Sequence, residues 1–198
     1  MKRYTCLTLS AFVLLTTPAY ATQTLLGVDS YQQTKDWTCG PSVSLTVLKY
    51  WQRKDTEDGL AAAMGTNPDS GTRPEGIAKY FSEHGFDVTS GTDGTLDMLK
   101  NSVAEGVPVL VEWIDWGGHW VAVVGYDNKD TEDGADDDLI LADPYDRVDG
   151  KLDGLVRFNA DRFDSMWFDA LYFKEGKGIT KGVWIKPVPK QNPLAKQN

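Results

Sequence analysis

The segment Gln33-Thr34-Lys35-Asp36-Trp37-Thr38-Cys39-Gly40-Pro41-Ser42-Val43 sets a cysteine at the threshold of a helix. Proline is tolerated in a first helical turn but not deeper, so Pro41 places Cys39 at the helix start. Val43, Val47, Tyr50 and Trp51 then recur at the spacing of one helical face. A thiol at a helix N-terminus is drawn down from its ordinary pKa of ~8.5 towards the reactive thiolate. Cys39 is therefore read as a nucleophile, and the rest of the chain is searched for a base, an orienter and an oxyanion donor.

Upstream, Lys2 and Arg3 precede a short apolar run from Leu7 to Leu15, and Ala19-Tyr20-Ala21 is a small-x-small cleavage site. The run is too short for a bilayer, which needs ~20 residues. Residues 1–21 are thus expected to be a signal peptide, and Cys6 precedes the apolar run rather than following it as a lipid anchor would. Removing the signal leaves Cys39 as the one cysteine of the mature chain. An unpaired cysteine in an exported protein points to a reactive thiol or an intermolecular partner.

The mature chain would have 177 residues (198 less 21), enough for one domain with a substantial core. Losing Lys2 and Arg3 leaves 18 basic against 29 acidic residues, a net charge of −11. That argues against nucleic acid as a partner, because such binding needs a basic face. No further run is long enough to cross a membrane.

The residues after Cys39 read as helical. Helices are predicted near Glu57–Met64, from Pro74 to Gly85 with Ile77, Tyr80, Phe81 and His84 on one face, and from Thr95 to Glu105. The period then changes. Strands are predicted over Val107–Trp113, His119–Tyr126 and Leu139–Asp143, the last two joined as a long hairpin through the acidic run Asp127–Asp138. Gly154–Phe158, Leu171–Phe173 and Val183–Lys186 read as further strands, with a short helix over Ala160–Met166. Helices followed by an antiparallel sheet indicate an α+β domain spanning 22–187. The proline-bearing end, with Pro187, Pro189 and Pro193, is expected to be a loose tail over 188–198.

Only His84 and His119 can serve as an imidazole base. His84 in a last helical turn is explained by the helix dipole. His119 follows Gly117-Gly118 and opens a strand, which lets the ring project over a cleft while the strand fixes its backbone. Asp143 ends the neighbouring strand and is held extended by Pro144, so it is the expected orienter of His119. A tetrahedral intermediate needs oxyanion donors, and the Gln33 amide with the Cys39 backbone N–H would supply two; Gln32 is the adjacent alternative.

These residues carry a resemblance. The blocks Gln33–Pro41 (Q-x4-T-C-G-P), Glu105–Val111 (E-G-V-P-V-L-V), Gly118–Asp127 (G-H-W-V-A-V-V-G-Y-D) and Leu141–Asp146 (L-A-D-P-Y-D) occur in this order. Together they resemble papain-like cysteine peptidases of the bacteriocin-processing, double-glycine type. The resemblance implies a papain-like fold, a catalytic triad on Cys39, His119 and Asp143, and an oxyanion hole using Gln33. Thr38 stands where the family often has aspartate. The chain also lacks the membrane spans and nucleotide-binding loop of the transporters that carry many such domains, so a free-standing relative is expected.

Other features are weaker. In the run Asp127–Asp138, an EF-hand register with Gly134 at its sixth position puts Lys129 first and Ile140 twelfth, where oxygen ligands are required. A solvated loop is the better reading, and no metal or cofactor is expected. Trp37, Trp116 and Trp120 flank the proposed catalytic residues and are expected to line a substrate groove. The reading is a monomeric, exported thiol hydrolase acting on a peptide or protein substrate, in the periplasm or secreted. The alternatives are an acyltransferase or transglutaminase-like enzyme with the same triad, and a non-catalytic binding module on the same fold.

Overall fold

Helix α1 (Cys39–Tyr50) is buried on every side from Cys39 to Leu48. Its apolar and small residues form more than the single face expected, and a helix buried all round sits at the centre of a domain. Around it, a computed structural model describes residues 23–131, 133–147, 150–151, 153–169, 179–191 and 194. The signal segment 1–21 and the expected strand Leu171–Phe173 lie outside the described residues.

One side of α1 carries α2 (Glu57–Met64) and α3 (Pro74–Glu83). The ends of α2 follow local chemistry. The Thr56 side chain accepts from the Gly59 N–H at the start, and Gly65 closes the helix at φ 69°. Pro74 opens α3 at its first turn. The other side of α1 meets an antiparallel sheet of β1 (Gln23–Leu25), β2 (Phe86–Gly91), β3 (Val109–Trp113), β4 (His119–Asp127), β5 (Asp138–Ala142), β6 (Leu155–Asn159) and β7 (Val183–Pro189). The order is β2-β7-β3-β4-β5-β6, with β1 against the far half of β4. Helices α4 (Leu96–Ala104) and α5 (Ala160–Met166) cover the opposite face.

The pleat divides β3 and β4 between two cores. Leu110, Trp120 and Ala122 face α1, while Val109, Val111, Val121 and Val123 join Leu99, Phe163 and Trp167 on the other side. A sheet covered on both faces needs apolar residues at every position, which is why β3 and β4 read as unbroken apolar runs. The β4–β5 hairpin forms as expected. The acids of its loop are engaged locally, Asp127 with Arg157 at 2.6 Å and Asp138 with Lys129 at 3.0 Å.

Two expectations are corrected. The segment after Cys39 expected to be helical also holds β2, which pairs with β7 along its whole length, while β1, ahead of Cys39, pairs with β4. The expected tail begins too early, since Pro187 and Pro189 lie within β7 and are buried. β3 pairs only with Val183, Trp184 and Ile185, so later residues of β7 are bonded to β2 alone, and a missing proline donor is tolerated there.

Gly182 turns the chain into β7 at φ 60°, where an added Cβ would meet the Gly94 backbone nitrogen at 2.4 Å. Gly182→Ala is expected to cost about 2 kcal/mol from left-handed strain and overlap. Tm should fall by ~4–8 °C. Gly150→Ala, at φ 76° with open space around it, should cost about half as much. Thermal melts of the two variants test this.

Candidate active site

The loop ahead of α1 is held by one carboxylate. Glu57, 6 % exposed, accepts from the Thr34 backbone N–H at 3.0 Å, the Thr34 hydroxyl at 2.8 Å and the Tyr31 hydroxyl at 3.1 Å. The Thr38 hydroxyl also faces it. Burial pushes the Glu57 carboxyl up, but the bonds from Thr38, Thr34 and Tyr31 outweigh it and hold the group below the ordinary carboxylate value. Glu57 thus fixes both ends of the turn that separates Gln33 from Cys39.

Cys39 is the first residue of α1 and is 8 % exposed. Its sulfur meets the His119 imidazole and the backbone N–H groups of Trp120 and Gly40. Burial pushes the thiol up, yet the hydrogen bond and charge of His119, helped by those two N–H groups, bring it below the ordinary thiol value.

His119 begins β4 after three residues in the left-handed region, Trp116 (φ 55°), Gly117 (φ 80°) and Gly118 (φ 122°). The glycines adopt this backbone without penalty, which turns the chain sharply enough to bring the imidazole over the end of α1. His119 Nε2 lies 2.7 Å from Asp143 Oδ1, leaving Nδ1 for the sulfur. Burial disfavours the imidazolium, but Asp143 and Cys39 raise the His119 pKa well above its ordinary value.

Asp143 follows β5, 2 % exposed. Ala142 pairs with Ala122, so one further step sets Asp143 beside Val121 and diagonal to His119. Asp143 Oδ1 also accepts from the Tyr145 N–H at 2.7 Å, and its own N–H donates to the Gly154 carbonyl at 2.9 Å. Gln32 joins this turn to the loop before α1. Its Nε2 donates to the Asp143 carbonyl at 2.7 Å and its Oε1 accepts from the Asp146 N–H at 3.2 Å. The Gln32 amide is therefore committed to the framework. The adjacent Gln33 N–H donates to the Pro144 carbonyl at 2.8 Å, and its side chain lines a hollow of about 230 Å³ with Cys39, His119 and Tyr145. Gln33 Nε2 gives one proton to the Lys35 carbonyl at 2.9 Å and keeps a second.

Cys39 stands between that hollow and another of about 170 Å³ walled by Trp37, Thr72, Glu112 and Trp120. Trp116, 63 % exposed, borders both and packs edge-on to Tyr145 at 5.5 Å. Trp37 and Trp116 thus lie along the cleft. Trp120 differs from the expectation of an open groove wall. It borders the hollow but is 2 % exposed, and its indole N–H is spent on the Thr72 carbonyl at 2.9 Å. His84 lies apart, with Nδ1 2.7 Å from the Tyr80 carbonyl and its ring stacked on Tyr80.

Sequence reasoning missed Glu57 and Glu112. Glu57 enters only as the first residue of the predicted helix Glu57–Met64, where an acid is ordinary. Glu112 was legible in principle as the single charge inside an apolar strand.

The model of the Peptidase_C39 like family matches residues 25–167. Among solved structures, the peptidase domain of Streptococcus ComA, a bi-functional ABC transporter involved in a quorum sensing pathway, is 22 % identical. It covers 84 % of this chain and 98 % of its own, with a TM-score of 0.57. A double glycine motif protease from an AMS/PCAT transporter, solved in complex with the leader peptide, is 16 % identical, covering 84 % and 94 %, with a TM-score of 0.55. The likeness is one of fold, and the α+β, papain-like architecture expected from the sequence is the one observed. No curated protein matches the chain.

With its native pKa depressed, Glu57 stabilises the fold above its unfolded value of about pH 4.3, and that contribution fades as pH falls through the lower native value. Glu57→Gln should therefore cost about 2 kcal/mol at pH 7 by weakening its charge-assisted bonds. The gap to wild type should narrow towards pH 3, and calorimetry across this range checks both ends.

Proposed function

The chain belongs to the Peptidase_C39 like family, and on that footing we propose that it is an exported cysteine peptidase that cleaves peptide bonds through Cys39, His119, Asp143 and Gln33. The observation that carries this is the continuous contact from the Cys39 sulfur through the His119 ring to Asp143, with Nε2 to Oδ1 at 2.7 Å. The Cys39 thiolate attacks the scissile carbonyl carbon, and the π electrons move onto oxygen. The second Gln33 Nε2 proton and the Cys39 backbone N–H, which has no intrahelical acceptor in the first turn, receive that oxyanion. His119 gives its Nδ1 proton to the leaving amine. It then takes a proton from water, which attacks the thioester, and thiolate and acid product separate. Asp143 keeps the ring oriented and stabilises its charged form throughout.

Peptide substrates fit the family and the open cleft on both sides of Cys39. Among the described residues no helix is long and apolar enough to cross a membrane. Export rests on residues 1–21, and the exported chain is expected to begin near Thr22 when its N-terminus is sequenced.

Iodoacetamide should alkylate Cys39 faster than a free thiol at pH 6, because a lowered pKa leaves a larger thiolate fraction there. His119→Ala should remove that advantage and move the labelling midpoint to about 8.5 or above. On a peptide cleaved by wild type, Cys39→Ala should abolish turnover, and Gln33→Ala should lower kcat by ~10²–10³. Labelling of wild type no faster than glutathione at pH 6 would overturn the reading.

A further inference from the structure

β3 is apolar from Val109 to Trp113 except at Glu112. The pleat sets Glu112 on the face of Leu110, the face that packs against α1. Its partners across the sheet are Trp120 on one side and Val183 on the other. Neither gives the carboxyl a side-chain donor, since the Trp120 indole N–H is held by Thr72. Glu112 is 7 % exposed, and its buried Oε2 finds no hydrogen-bond partner among the described residues. It lines the smaller hollow beside Cys39. Unpaired buried carboxyl oxygens are costly, so such a group calls for a ligand.

We propose that this hollow is a subsite for a basic side chain, lysine or arginine, next to the bond attacked by Cys39, with Glu112 as its specificity-determining group. The inference rests on the reading of Cys39 as a nucleophile towards peptides. An ammonium or guanidinium supplies the donor that Oε2 lacks. Asp36 and Asp69 add negative charge at the rim, and none of the described lining residues is basic. Trp37 and Trp116 border the hollow and give apolar cover for a methylene stem, and Lys35 Nζ already lies 5.4 Å from the centre of the Trp37 ring.

The charge state of Glu112 fits the role. Burial, then the negative charges of Asp169, Cys39 and Glu75, push its carboxyl up to about 9, with Arg73 pulling the other way. At neutral pH it is a protonated acid that spares the Cys39 thiolate a neighbouring anion. A bound cation ionises it, so occupancy of the subsite releases a proton.

The test compares three methanethiosulfonates on the full chain: the permanently cationic trimethylammonioethyl reagent, the neutral methyl reagent and the anionic sulfonatoethyl reagent. Each is attacked by the Cys39 thiolate to form a mixed disulfide, with methanesulfinate leaving. Modification is read at Cys39 by peptide mass spectrometry, which separates it from Cys6. In wild type the cation-to-neutral rate ratio should exceed the anion-to-neutral ratio and rise roughly tenfold from pH 6 to pH 9 as Glu112 ionises. The thiolate fraction of Cys39 is common to all three reagents and cancels in the ratio, while loss of the His119 proton, which also favours the cation, persists in Glu112→Gln and is separated by it. Glu112→Gln, which keeps the shape, should flatten the pH dependence. If that variant does not fold, Glu112→Met, an uncharged side chain of similar volume, is read in its place. Fast neutral labelling with a flat wild-type ratio, or with ratios unchanged in Glu112→Gln, overturns the subsite alone. Slow neutral labelling overturns the nucleophile and the subsite with it.

Discussion

A sulfur and an imidazole meet where the first turn of α1 abuts the first residue of β4, both of them buried. Separating charge in such a place costs several kcal/mol per ion unless each charge is met at once by a partner. The surroundings supply those partners. The sulfur has two backbone N–H groups besides the ring, and the ring has Asp143. The Asp143 turn is in turn laced to the Gln32–Gln33 segment by three hydrogen bonds of 2.7–3.2 Å. The segment that bears the proposed oxyanion donor and the segment that orients the base are therefore one mechanical piece, although 110 residues separate Gln33 from Asp143 along the chain.

Two buried glutamates on opposite sides of this piece illustrate how environment sets the behaviour of one residue type. Glu57 is met by donors from Tyr31, Thr34 and Thr38 and stays ionised. Glu112 lies among apolar strand residues and negative neighbours and keeps its proton. One holds the backbone that presents the sulfur; the other faces the space beside it. Thr38, immediately before Cys39, gives its hydroxyl proton to the Glu57 carboxylate, which reaches it from α2.

What was legible in the sequence came from local signals. Pro41 placed the start of α1, the Gly117-Gly118 pair marked the turn into β4, and Pro144 marked the end of the strand before Asp143. With only two histidines, His84 being held by its own helix, the base followed by elimination. What was not legible depends on distant partners. β2 is a strand because β7 lies beside it, and the prolines of β7 mimic a tail because their tolerance comes from where β3 stops pairing. The burial of Trp120 reflects the Thr72 carbonyl, 48 residues away. Glu112 stands out in the sequence as the one charge of an apolar run, but its lack of a partner emerges only from the enclosure of that strand on both faces.

The last described strand is also an interior one. β7 enters between β2 and β3, segments completed some seventy to a hundred residues earlier in the chain, and pairs with both. Loop-closure entropy makes such an insertion a late event in folding. Until it happens, β2 has no attachment to the rest of the sheet and Glu112 lacks its neighbour Val183. A partly made chain thus carries an unpaired β2 and an open flank beside Glu112 until residues 183–189 are available to fill the gap.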